Sequence, residues 1–265
     1  MTHPRMEQLA PYLRLVVAPN PGPMTLEGTN TWIVGDPLRA APVVIDPGPL
    51  VAAHQVAVLE ACHGRIADIV LTHRHHDHSD GAAELAGMAG CGVRSADPTL
   101  RVGPAALAER DRFELAGAEL TAYATPGHTS DSFSLVLAGG DRVTRLLTGD
   151  MVLGRGTTVI TRPDGNLGDY FVSLTRMESL VRAERVKEIL PGHGPVVGSP
   201  AERLAFYRAH RLERLQQVRQ AVQAGDRTPQ EVVARVYADV DPAVWPAAEQ
   251  SVAAQLEYLE RVDST

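Results

Sequence analysis

The 265-residue chain has only two cysteines, Cys62 and Cys91, and a single lysine, Lys187. Two thiols are too few for the disulfide framework of a small secreted domain, and both read as small buried hydrophobes. With one lysine, arginine carries nearly all the positive charge, a bias that reflects genomic composition. Positive charge is itself outweighed: 25 Lys and Arg face 32 Asp and Glu, giving a net charge of −7. That excludes a general electrostatic pull toward nucleic acid or anionic membrane. No apolar run approaches the ~20 residues of a membrane span. The opening stretch MTHPRMEQLAPYLRLVVAPNP lacks a basic segment followed by a long apolar one, so no signal peptide is expected, and the expected compartment is the cytoplasm. The remaining composition, 44% hydrophobic and 22% charged, is that of a globular protein.

Short, β-branched, turn-bounded runs mark strands at 13–18, 29–35, 42–48 and 67–73, and again within 118–150 and at 186–193. Helical patterns cover 51–62, 79–89 (with Ser79 or Asp80 as N-cap) and 172–183. Interleaved strands and helices point to a layered α/β architecture. After Ser199-Pro200 the pattern turns helical: 201–224, 228–239 with Thr228 as N-cap and Pro229 at the first helical position, and 247–262. Two domains are expected, a catalytic one over 1–200 and a small helical one over 201–265.

Against this background one stretch stands out. LTHRHHDHSDG, residues 71–81, crowds four histidines and two aspartates into eight positions. Burying them would be costly unless each polar atom had a partner, and metal ions supply such partners. Four strands end in a His or Asp where the chain turns: DIVLT into His73, LTAYATPG into His128, RLLTG into Asp150 and KEILPG into His193. Sites gather at the carboxyl ends of strands in open α/β sheets. With His75, Asp77 and His78 the set reaches seven, too many for one tetrahedral ion and right for two that share a carboxylate. Imidazole with carboxylate suits zinc, with iron or manganese as substitutes.

HRHHDH, PGHTSDS, LLTGD and LPGHG resemble the metal-binding motifs of the metallo-β-lactamase fold superfamily, over residues 13–200. The resemblance implies an αββα four-layer sandwich with its site on one edge. It implies that His73, His75 and His128 hold a first metal, that Asp77, His78 and His193 hold a second, and that Asp150 bridges. His76 falls at a variable position of the motif. His3, His54, His63 and His210 have no ligand-like context. Asp46, in VVIDPGP, resembles a family aspartate that does not touch metal but orients a ligand or loop.

Two zinc ions sharing a solvent molecule would bring its pKa from ~15.7 toward ~7, making hydroxide the nucleophile, with Asp77 managing its proton. The secreted β-lactamases of the fold usually carry Cys where Asp150 stands. Asp150 is instead shared with glyoxalase II type thioesterases and with nucleases of the superfamily. TLEGTNTWIVG, GDMVLGRGTTVI and FYRAHRLERLQQV look like lactamase-beta-like proteins with a winged-helix C-terminus, a subgroup that includes single-strand endoribonucleases and many bacterial hydrolases. By that resemblance Asn30, Arg155, Thr157 and Thr158 border the pocket. Two activities compete. The favoured one is hydrolysis of a small acyl substrate: a thioester, a lactone or, adventitiously, a β-lactam. The alternative is phosphodiester cleavage of single-stranded RNA, for which Arg203, Arg208, Arg211, Arg214 and Arg219 offer a basic helix face. The last helix, with Glu249, Glu257 and Glu260 against Arg261, suits nucleic acid poorly. The C-terminal domain therefore reads as a wall of the pocket or a homodimer surface, with little room for a wing before Thr265. A non-catalytic nucleic-acid regulator fits badly with a complete ligand set. No membrane partner is expected.

Overall fold

The computed structural model describes residues 5–263. His3 lies outside them. The first sheet has six strands in sequence order: β1 (Arg5–Ala10), β2 (Leu13–Val17), β3 (Asn30–Val34), β4 (Val43–Ile45), β5 (Asp68–Val70) and β6 (Gly92–Arg94). The second has five: β7 (Arg112–Leu115), β8 (Ala118–Ala124), β9 (Phe133–Gly139), β10 (Thr144–Gly149) and β11 (Glu188–Pro191), in the order β11-β10-β9-β8-β7. β4–β5–β6 and β10–β11 pair in parallel, and the other neighbours are antiparallel. Each parallel pair needs a crossover. α1 (Ala52–Ala61) joins β4 to β5, the one-turn α2 (His76–Ser79) and α3 (Ala82–Ala89) join β5 to β6, and α4 (Leu167–Ala183) joins β10 to β11.

Alternation along the strands sorts side chains into three cores. Leu13, Leu15, Trp32, Val34 and Ile45 meet Leu120, Leu135, Leu137, Leu147 and Leu190 between the sheets. Their neighbours Val16, Ile33, Val44 and Ile69 face Val58, Cys62, Leu85 and Ala86 of α1, α3 and the turn after α1. Val136, Leu146 and Ile189, on the far side of the second sheet, face Tyr170, Leu174 and Met177 of α4. The inner strands are buried on both faces, which is why they read as continuous apolar runs. The result is helix, sheet, sheet, helix.

Beyond Ser199 come α5 (Pro200–Gln223), α6 (Pro229–Val236) and α7 (Trp245–Asp263). Thr228 and Glu231 close a reciprocal capping box on α6. Among the described residues after 200 there is no strand. These helices do not hang free: Leu204, Tyr207, Val218, Val232, Val252 and Leu259 belong to the same core as α4.

Some expectations shift. Neither Ser79 nor Asp80 caps α3. The Ser79 hydroxyl donates to the Arg74 carbonyl and Asp80 bonds His76, so Gly81 takes the cap position. α4 starts five residues earlier than expected, because the Asn166 side chain accepts from the Asp169 amide. β1 is mostly exposed and shows no alternation to read. Cys62 is buried, whereas Cys91 is only partly so.

Candidate metal centre

His73 lies three residues past the end of β5, His128 lies beyond β8, Asp150 directly follows β10, and His193 lies two residues past β11. All these strand ends face one edge of the sandwich. His75 opens the turn into α2, and Asp77 and His78 sit within that turn. Helical spacing there separates Asp77 and His78 from His75, so one short loop feeds two clusters.

In the first cluster His73 Nε2 lies 3.1 Å from His75 Nδ1, and His128 Nε2 lies 3.0 Å from the same atom. In the second, His78 Nε2 and His193 Nε2 are 3.1 Å apart, and Asp77 Oδ2 is 3.1 Å from His193 Nε2. Ligand atoms ~2.0–2.1 Å from one tetrahedral zinc stand about 3.3 Å from each other. Both trios have close to that spacing. Asp150 spans them: Oδ1 is 3.4 Å from His78 Nε2, and Oδ2 is 3.4 Å from His193 Nε2 and 3.8 Å from His128 Nε2. Asp150 Oδ1 is buried without a hydrogen-bond partner, as expected of an atom meant for an ion. The donor set therefore fits two divalent cations.

The outward ring nitrogens are held as ligand histidines require. His73 Nδ1 meets Thr72 Oγ1 at 3.0 Å, His128 Nδ1 meets the Val159 carbonyl at 2.7 Å, and His193 Nδ1 meets the Gly28 carbonyl at 3.2 Å. His78 Nδ1 donates to Asp46 Oδ2 at 2.9 Å. Each bond would hold the ring in the tautomer that an ion needs, with the bare nitrogen facing inward. Asp46 is 1% exposed and also accepts from the Thr72 amide and hydroxyl, both at 2.7 Å. It lies on the outer side of His78, so it orients that ring and is not a member of the inner set. Gly192 is required by close approach: a Cβ there would stand 2.5 Å from Asp150 Oδ1 and 2.7 Å from His78 Cε1.

The electrostatics of the two halves differ. Burial holds His73 well below the usual imidazole range, helped by His78 and His128. Burial also lowers His75, and takes His128 down to about 4. These rings stay neutral. In the other half burial again opposes charge, but carboxylates win. Asp150 and Asp46 carry His78 well above its ordinary value, and Asp150 with Asp77 carries His193 up to about 9. Burial works against the anions too, yet His193 and His78 hold Asp77 low and Asp150 well below the usual carboxylate range.

A cavity of about 240 Å³ opens over the centre, lined by His75, Asp77, His128, Asp150 and His193, with Met24, Leu153, Arg155, Thr157 and Thr158 among its walls. Arg155 pairs with Glu27 at the rim. Thr158 is almost buried, and its hydroxyl lies 3.1 Å from His128 Nδ1. Asn30 does not border this cavity. It is 2% exposed, and its amide donates to the Pro191 and Gly194 carbonyls at 3.0 and 2.9 Å, pinning the His193 loop. His76 is exposed and bonds Asp80. His54 is buried against Thr31 Oγ1 at 2.9 Å.

Sequence reasoning missed Thr72, which joins Asp46 to His73, and Arg74, which reaches across to Asp131 and Ser130, both at 3.2 Å. Arg74 ties the loop of His73–His78 to the loop of His128. Each adjoins a ligand in sequence, and that adjacency was the available signal. The basic face expected on α5 is partly tied down by the fold. Arg203 donates to the Leu153 and Gly156 carbonyls, Arg208 pairs with Glu178 at 2.8 Å, and Arg211 is buried with a bond to the Thr158 carbonyl. Among the described residues no helix is long and apolar enough to cross a membrane.

Known proteins share these features. The Metallo-beta-lactamase superfamily model matches residues 24–193, and the Beta-lactamase associated winged helix domain matches residues 228–263. A Beta-lactamase-like protein 2 homolog of Drosophila melanogaster is 32% identical, over 97% of this chain and 91% of that protein. An atrochrysone carboxyl ACP thioesterase of Aspergillus novofumigatus is 30% identical, over 89% of this chain and 74% of that protein. These relatives are animal and fungal and give no support to a bacterial source. Among solved structures, a metallo-beta-lactamase family protein from Thermus thermophilus superposes with a TM-score of 0.77 at 20% identity, covering 97% of this chain and 95% of that one.

Proposed function

The chain belongs to the metallo-beta-lactamase superfamily and is a hydrolase, and from that premise we propose that it cleaves a small acyl substrate, a thioester first among them, at a centre of two zinc ions. His73, His75 and His128 would hold one ion, Asp77, His78 and His193 the other, and Asp150 both. When bound, the ions supply Lewis acidity toward a carbonyl and acidify water at neutral pH.

The chain's own residues do the rest. Asp77 lines the cavity beside His193; with Oδ2 turned to the ion, its other carboxylate oxygen would accept a proton from the attacking water and return it to the departing thiolate. Asp46, Thr72, Val159 and Gly28 keep the ligand rings from turning. Leu153 and Met24 give the cavity apolar walls that suit an acyl chain.

One observation favours acyl over phosphodiester chemistry. An RNA track needs arginines free to meet phosphates, whereas Arg203 is held on the Leu153 and Gly156 carbonyls and Arg208 on Glu178. The thioesterase among the relatives supports the same choice. The zinc-loaded protein should be assayed side by side on an acylglutathione-type thioester, a chromogenic β-lactam and a labelled single-stranded RNA. Thioester turnover with kcat/KM well above the other two is expected. Efficient RNA cleavage beside feeble thioester turnover overturns the reading.

A further inference from the structure

A second cavity, of about 280 Å³, adjoins the first. The two share Met24, Thr157, Thr158 and Val159 as a common wall. Its far side is built by α5 and α7 and the segment between α6 and α7. Val240, Val244 and Ala248 are apolar there, but three polar side chains on the wall are left unsatisfied. Arg211 is 7% exposed, and its Nε has no hydrogen-bond partner. Gln255 is 5% exposed, and its Oε1 has none either, although its Nε2 donates to the Ser251 carbonyl. His210 Nδ1 is the third. Buried polar atoms without partners are costly; the Arg211 Nε–H is a donor that calls for an acceptor, whereas Gln255 Oε1 is itself an acceptor and takes no bond from an anion.

The charge of that wall states what the occupant is. Arg211 and Arg214 both line it, and among the described residues lining it there is no carboxylate. Arg211 stands over the Tyr170 ring and Arg214 over the Tyr237 ring, so each guanidinium is held in place by a flat aromatic face. An anion with two or three acceptor oxygens meets such planar donors well. Thr158 connects the two cavities: its hydroxyl touches the metal-ligating His128, and its carbonyl accepts from Arg211.

We propose that the second cavity is a subsite for an anionic group, a carboxylate or phosphate, carried on one arm of the substrate whose scissile carbon sits over the metal centre. The proposal rests on the acyl-hydrolase reading above for the reacting end. The anionic end rests on the geometry of α5 and α7 alone. Through this subsite the C-terminal helices select substrates by the charge at the far end of the arm.

Two measurements test it on the full-length, zinc-loaded protein. The first uses thioesters of equal length whose arm ends in a carboxylate, a phosphate monoester or a neutral methyl ester, placed on the acyl side in one set and on the thiol side in another. The anionic forms should show KM at least tenfold lower than the methyl ester on one side. Arg214→Gln should erase that advantage, bringing the KM of the anionic forms to that of the methyl ester. Which anion gains more identifies the source. The second is calorimetric titration with hexanoate, hexyl phosphate and hexanol, which needs no turnover. At least one anion should bind one to one and far more tightly than hexanol, and lose at least tenfold in affinity in Arg214→Gln. Anion binding of this kind without any thioester turnover would keep the subsite and reject the acyl chemistry. Equal binding of the three probes, or anion binding indifferent to Arg214→Gln, would overturn the subsite and leave the cavity to ordered water. RNA cleavage without hexyl phosphate binding would overturn it as well.

Discussion

Replacing Asp46 by Asn should cripple the second metal site although Asp46 touches no metal. The carboxylate accepts three bonds, from the Thr72 amide, the Thr72 hydroxyl and His78 Nδ1, at 2.7, 2.7 and 2.9 Å. Oδ2 receives two of them. An asparagine of the same shape has one acceptor oxygen. With that oxygen kept on the Thr72 amide, its NH₂ group faces the Thr72 hydroxyl and His78 Nδ1. The hydroxyl can rotate. The imidazole can satisfy the new donor only by moving its proton to Nε2, the atom that faces His193 and Asp150. A protonated Nε2 has no lone pair to give. Losing an outer partner of this kind costs ~10–100-fold in metal affinity or activity, and a mismatched buried donor destabilises the fold by about 1–3 kcal/mol. Competition with a chromophoric chelator should show the weaker of two zinc sites falling by that factor, with the stronger one changed less. Thioester turnover should recover in part at high zinc. Unchanged zinc affinities and kcat in Asp46→Asn would refute the reasoning.

Gly192→Ala should lower zinc affinity and activity by at least about tenfold with little change in circular dichroism, since its Cβ would press on Asp150 and His78; normal activity would show that the loop yields. Asp77→Asn should cut turnover by ~10²-fold or more at saturating zinc while leaving thermal unfolding near normal; near-normal turnover would remove Asp77 from proton handling. Burial takes His54 down to about 4, so between pH 6.5 and 4 the unfolded chain binds a proton that the folded chain refuses. That contribution is complete above pH 6.5 and is lost as the pH falls toward 4, about 3 kcal/mol across the window. His54→Gln should flatten denaturant-measured stability over that range by about this amount, and an unchanged slope would show that His54 is not the group responsible.

Among the candidate donors, His73, His128, Asp150 and His193 were legible because each follows an apolar strand run, and alternation plus turn residues locate such ends in a sequence. His73 follows Leu71-Thr72, and Asp150 follows Leu147-Thr148-Gly149. The supports were not legible, because their partners are remote. Asn30 reads as a pocket residue until its amide is found on the Pro191 and Gly194 carbonyls, more than 160 positions away. Arg211 reads as one charge in a basic stripe, yet helical rotation carries it inward onto Thr158 and Tyr170. β1 was hidden because an exposed edge strand has no buried face to impose a pattern.

Metal content measured together with activity tests the account most directly. Elemental analysis of carefully purified chain should find two metal ions per chain, mostly zinc. Hydrolysis should disappear on chelation and return in proportion to the second equivalent of zinc restored. Full activity with one ion per chain, or with none, would contradict it.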